Sequence, residues 1–114
     1  MKRDDSIYLR HMLDAIARVR SYLSGVDETN FTRNYLVQDG VIRQLEIIGE
    51  AARHVSDELR QKWPLVPWAD VAATRNKLIH DYFGVDIEKV WLTAKDDLPG
   101  LQEQLHRVLG DLTS

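Results

Sequence analysis

The chain is predicted to be all-α. Three observations carry this: apolar residues recur at intervals of three and four almost throughout, Gly25, the Pro64 and Pro67 pair and Gly84 fall where one such stripe ends and the next begins, and no segment alternates with the period of two that a half-buried strand needs. Leu9, Met12, Leu13, Ile16, Val19 and Leu23 lie on one face of a helix from about Ser6 to Ser24, with Gly25 as its stop. A longer stripe through Val41, Ile42, Leu45, Ile48, Gly49, Ala52, Val55 and Leu59 predicts a helix from about Thr32 to Lys62. A break is expected near Ser56-Asp57, where Asp57 would cap a short final piece. Trp63-Pro64-Leu65-Val66-Pro67-Trp68 cannot continue it, because each proline lacks an N–H and pushes its predecessor toward extended backbone. A third helix should start at Trp68 or Ala69 and reach about Phe83, ended by Gly84. Asp86 looks like the cap of a fourth, with Val90, Trp91, Ala94 and Leu98 on its face. Pro99 and Gly100 interrupt that stripe. Leu101, Leu105, Val108, Leu109 and Leu112 restore it, so the C-terminal part is one kinked helix or two stacked ones.

At 114 residues the chain is long enough for one domain, residues 1–114, with a modest core. Its composition, 44% apolar and 29% charged, is that of a globular protein rather than a disordered one. The absence of cysteine excludes disulfides, thiolate nucleophiles and Cys-type zinc sites, and fits a reducing compartment, by default the cytoplasm. The first residues lack the apolar run of a signal peptide, and no stretch is long and apolar enough to span a membrane. A net charge of −3 argues against broad nonspecific affinity for nucleic acid but leaves room for a local basic patch.

The segment with the most chemistry is Arg75-Asn76-Lys77-Leu78-Ile79-His80-Asp81-Tyr82, an R-x4-H-x-Y pattern. A fixed guanidinium can hold a phosphate while an imidazole moves a proton near neutral pH, which is what phosphodiester cleavage without a metal requires. On an ideal helix Val71 and Ile79 lie about 40° to either side of Arg75, so the guanidinium sits within an apolar face. Such a group needs a partner, a ligand or a second subunit, since burying it unpaired costs several kcal/mol. His80 falls about 140° from Arg75, so the motif side chains cannot converge on a straight helix. Either the helix ends near His80 and the chain turns back, or a second copy completes the site. Glu50, within the small-residue stretch Ile48-Gly49-Glu50-Ala51-Ala52, is the candidate partner for Arg75; pairing with Arg53 or His54 is its plain alternative.

With its flanking blocks Ile48-Gly49-Glu50-Ala51-Ala52, Pro67-Trp68, Val85-Asp86 and Val90-Trp91, the motif resembles that of the HepT-like toxins of the HEPN superfamily, and the resemblance covers nearly the whole chain in order. It implies an all-α, antiparallel four-to-five-helix bundle that forms a homodimer with the two motifs facing across a cleft. It implies a metal-independent endoribonuclease, the toxin of a toxin–antitoxin pair, with transfer RNA as one kind of target. Its partner would be an MntA-type minimal nucleotidyltransferase antitoxin that silences it by transferring AMP to the motif tyrosine, here Tyr82.

In that mechanism Arg75 holds the scissile phosphate, Asn76 fixes position, and His80 serves as general base on the RNA 2′-OH or general acid toward the leaving oxygen. No metal or other cofactor is expected. His11, His54 and His106 share no spacing resembling a metal site and count as surface residues, while Trp63, Trp68 and Trp91 are expected to pack the bundle. The competing expectation is a noncatalytic helical dimer that binds nucleotide or docks a nucleotidyltransferase. The plain structural alternatives are a helix-end histidine at position 80 and a core aromatic at 82.

Overall fold

The computed structural model describes residues 4–79 and 84–114, apart from the side chains of Arg75, Leu78 and Ile79. These residues form helices and connecting loops, with no strand among them. Helix α1 runs Asp5–Tyr22, α2 Glu28–Arg33, α3 Tyr35–His54, α4 Asp57–Lys62, α5 Trp68–Ile79, α6 Ile87–Leu92 and α7 Leu98–Thr113. The two short helices α2 and α4 sit at turns of a bundle made by α1, α3, α5 and the α6–α7 run.

Helix α1 starts at Asp4, whose carboxylate accepts from the backbone N–H and the hydroxyl of Ser6 at 3.0 and 2.5 Å. Its predicted stripe is its buried face, with Leu9, Met12, Ile16 and Val19 fully enclosed. Gly25 follows with φ +74°, the left-handed backbone that a glycine adopts without strain.

The helix expected from about Thr32 starts at Tyr35 as α3, and a short helix that the stripe did not predict, α2, precedes it. Asp27 caps α2 by accepting from the N–H of Asn30 at 2.8 Å, and Asn34, in extended backbone, ends α2 and caps α3 by accepting from the N–H of Val37 at 3.1 Å. The apolar stripe did not reveal this break, because a buried side chain from the next helix makes it tolerable. The amide of Gln38 donates to the carbonyls of Phe31 and Thr32 at 2.8 and 3.0 Å, replacing the helix bonds that the break removes. Phe31 is thereby driven fully into the core against Trp91, ring centroids 5.3 Å apart.

The break predicted near Ser56-Asp57 is present, but Ser56, not Asp57, is the cap. Its hydroxyl oxygen accepts from the N–H of Leu59 at 3.2 Å and donates to Asp5 at 2.6 Å, while its own N–H donates to the other Asp5 oxygen at 2.9 Å. Asp57 becomes the first helical residue, where a carboxylate suits the helix dipole. This ties the end of α3 to the start of α1. At the opposite end a Cβ on Gly40 would lie 3.2 Å from the Tyr22 ring, so α1 and α3 run antiparallel in close contact. Helix α7 is also antiparallel to α1: Arg20 donates to Gln102 near one end, and Lys62, beside the start of α1, meets Asp111 at 2.9 Å near the other.

The proline linker closes on itself, the Trp68 indole N–H donating to the Trp63 carbonyl at 3.0 Å. It returns the chain so that α5 lies back along α3. Trp68 and Trp91 are buried and Trp63 half-buried against the core, as packing residues.

Pro99 and Gly100 do not interrupt the last helix. The run passes from α6 through a π-helical turn, Thr93–Asp97, into α7, with Pro99 in the first turn. The sequence carries the reason. Val90, Ala94 and Leu98 follow one another at intervals of four, and each such step overshoots an α-helical turn by about 40°. The wider π turn absorbs the overshoot and keeps all three buried, and there a proline without an N–H is tolerated.

Candidate functional site

Helix α5 carries the backbone of Arg75 and Asn76 in its C-terminal half; His80 and Tyr82 lie outside the described residues, as does the Arg75 side chain. What is defined is the surface beside them. Asn76 is exposed and opens onto a groove of about 1540 Å³ between α5 and the α6–α7 run. Its floor is apolar, from Leu45 and Ile48 of α3, Val71 of α5 and Leu98 and Leu101 of α7. The far wall includes Thr93, Asp96 and Asp97, so the π turn shapes this groove directly.

The described residues of its rim carry four carboxylates, Asp70, Asp96, Asp97 and Glu103, against three cations, Lys77, Lys89 and Arg107. Two of those cations are already engaged, Lys77 by Asp70 at 3.6 Å and Arg107 by Glu103 at 2.6 Å. Such exposed pairs contribute at most about 1 kcal/mol each, but they cancel the local field. A broad apolar floor under such a rim suits another protein surface.

Glu50 lies elsewhere. It is exposed, contacts His54 at 3.2 Å and Arg53 at 3.4 Å, and lines a second, smaller groove along α1 and α3. This is the local pairing that the sequence left as the alternative to Arg75. The pairing with Arg75 itself falls outside the described residues.

The second groove also holds a group that sequence spacing could not assemble. Tyr8 stacks on His54, centroids 5.3 Å apart and planes 22° from parallel, and meets His11 edge-on at 6.4 Å. His11 and His54 are surface residues as expected, yet the antiparallel packing of α1 on α3 places them around one tyrosine. The usable signal was local, Tyr8 and His11 three apart on one helix and Glu50 and His54 four apart on another. Only the register between the helices was missing. Among the described residues no three His, Asp or Glu side chains are grouped as a metal site would need. Nor is any described helix long and apolar enough to cross a membrane.

Comparison with known proteins gives the family. Residues 12–108 match the family described as "Ribonuclease HepT-like". The chain is 38% identical over 112 residues to "Gamma-glutamylcyclotransferase and putative RNase MJ0434" of Methanocaldococcus jannaschii, a match that spans 98% of this chain but only 50% of that longer protein. It is 37% identical to "Putative RNase MJ1380" of the same organism, covering 94% of this chain and 98% of the relative. It is 36% identical to "Probable ribonuclease HepT" of Thermococcus cleftensis, covering 95% and 98%. No solved structure matches. A family match across most of the helical bundle, together with relatives of nearly the same length, places this chain in the HepT-like ribonuclease family of the HEPN superfamily.

Proposed function

We propose that this protein is a metal-independent endoribonuclease, the toxin of a toxin–antitoxin pair, acting as a homodimer through Arg75, Asn76 and His80. The observation that carries the reading is the family match over residues 12–108, which includes the whole R-x4-H-x-Y segment. The chemistry of those residue types suits RNA. His80 takes the proton of a ribose 2′-OH, the 2′ oxygen attacks phosphorus, and the 5′ oxygen leaves with a proton from an imidazolium. The products are a 2′,3′-cyclic phosphate and a 5′-OH end. Arg75 holds the phosphate and offsets the charge that builds on its oxygens, and Asn76 fixes its position. The reaction needs the 2′-OH, so DNA is not cut. A second copy of the chain supplies the second proton-transfer group, and transfer RNA is one candidate target.

In this reading the large groove beside Asn76 is the surface covered in the dimer, consistent with its apolar floor and balanced rim. The antitoxin is an MntA-type minimal nucleotidyltransferase that transfers AMP to Tyr82. The added phosphate puts a bulky anion into an anion-binding site, blocking it by shape and by repulsion. The same groove favours one other reading, a noncatalytic dimer that docks the nucleotidyltransferase or binds nucleotide there.

The deciding experiment incubates the purified protein and His80→Ala with total cellular RNA in EDTA and maps the fragment ends. Cyclic-phosphate ends produced by the parent alone establish the ribonuclease. Intact RNA with both proteins, from a parent shown by mass spectrometry to carry unmodified Tyr82, moves the docking reading ahead. Cleavage retained in His80→Ala removes that residue's role.

A further inference from the structure

The small groove along α1 and α3 has no part in the chemistry above, yet it brings three aromatic rings together on one surface. It encloses about 440 Å³. Tyr8, His54 and His11 form a preassembled ring cluster, and Arg43 and Arg53 stand on the same surface of α3. Tyr8 is half-buried against the core, which fixes its plane, while His11 and His54 are exposed. Arg53 shares Glu50 with His54; Arg43 forms no ion pair with any described residue.

We propose that this groove is a binding subsite for single-stranded RNA, holding the part of the substrate that flanks the scissile phosphate. The inference rests on RNA being the substrate. Every base has a π face, so a base can extend an existing Tyr–His stack whatever its identity, and guanidiniums beside such a stack hold the backbone phosphates. Glu46 and Glu50, the carboxylates of the groove, would repel a phosphate placed on them, but carboxylates accept hydrogen bonds from base amino groups. The groove therefore asks for an unstacked strand with its bases turned toward α1 and α3, not a duplex, whose bases are not free to stack on a protein ring.

The placement fits a strand that continues to the motif. Arg43 and His54 lie about 16 Å apart along α3 by the helical rise. Helix α5 runs back along α3 from the linker, so its C-terminal end, where the motif begins, lies toward the Arg43 end of the groove and away from the Tyr8–His54 stack. A strand laid along α3 would thus meet Arg43 nearest the reaction and the ring stack farther out.

The test uses the full chain, a short fluorescent 2′-O-methyl oligoribonucleotide that lacks the attacking hydroxyl, and anisotropy in EDTA over a series of salt concentrations. Cleavage of total RNA is measured beside it. Tyr8→Leu keeps the apolar packing and removes the ring, and His54→Ala and Arg43→Ala change exposed side chains; circular dichroism checks that each is folded. Loss of the stack should weaken binding roughly tenfold. Arg43→Ala should make the plot of log affinity against log salt shallower by about 0.7, the value for one single-strand phosphate contact. If the parent cleaves RNA while all three variants bind and cleave as it does, the groove is not a subsite and the ribonuclease reading stands. Unchanged RNA binding with lost association to the nucleotidyltransferase assigns the face to a protein partner and overturns the proposal. A parent that neither cuts nor binds RNA fails the functional reading itself, and this inference with it.

Discussion

Two residues show where chemistry can be read from a position and where it needs neighbours. Asp4 was not singled out from the sequence, yet a carboxylate just before the first stripe is the type of residue that caps a helix, and it does so here. Ser6, through its hydroxyl and then its N–H, holds the Asp4 carboxyl below the usual carboxylate range against an opposing desolvation, with the Arg10 charge adding the smallest pull, downward. A carboxyl depressed in the folded state stabilises the fold above its ordinary pKa of 3.8, and that contribution is lost as the pH falls through the lower folded value. Asp4→Asn keeps a capping oxygen without the titration, so its melting temperature should fall less than the parent's between pH 5 and pH 3. Equal falls would mean that Asp4 is not part of the acid response. Tyr82 is the opposite case, since nothing at its position in the sequence, apart from the family resemblance, marks it as an acceptor. Tyr82→Phe should take up no labelled AMP from the nucleotidyltransferase while still cutting RNA. Label on that variant would identify another acceptor.

At the scale of elements, the apolar stripes placed α1, α3 and the start of α5 to within a few residues because burial sets their faces, while the expected end of α5 near Phe83 lies outside the described residues. The short helices were harder, since their ends are fixed by single side chains from elsewhere. The Asn34 break depends on Gln38, and the Ser56 cap on Asp5 across the bundle. Ser56→Ala removes both the cap of α4 and the hydroxyl donor to Asp5, and should destabilise the protein by about 1–2 kcal/mol in urea unfolding. If the link between helices matters beyond the cap, Ser56→Ala with Asp5→Ala should cost less than the sum of the two single changes; strict additivity would reduce Ser56 to a local cap. Gly25 was legible because its need is intrinsic to the backbone. Gly25→Ala, at φ +74°, should cost about 1 kcal/mol although a Cβ there meets nothing within 4 Å. The C-terminal run was legible as a stripe and misread at Pro99, because a π turn leaves no mark in composition, only the repeated spacing of four.

For the whole molecule, the decisive property is which side chains come together, and sequence periodicity does not supply the register between helices that determines it. Hence the Tyr8–His11–His54 cluster was invisible, while the all-α class and the candidate motif were plain. The same reasoning bears on the motif, where Arg75 and His80 point about 140° apart on an ideal helix. If a straight α5 carries both, the simplest composite site takes Arg75 from one copy and His80 from the other, and a two-fold dimer then contains two such sites. This predicts subunit complementation. Arg75→Ala and His80→Ala, each inactive alone, should regain cleavage when mixed and allowed to exchange subunits. Each mixed dimer would hold one site with both groups intact and one with neither. Random exchange makes half of the dimers mixed, and each keeps one site with an Arg75 and a His80 but without the second imidazole, so activity should return to at most about a quarter of the parent's. Sedimentation of tagged and untagged copies would confirm that exchange had occurred. No recovery after demonstrated exchange would mean either that both imidazoles are indispensable or that Arg75 and His80 of one site belong to the same chain, and Arg75→Ala mixed with the parent separates the two, because that pairing keeps both imidazoles.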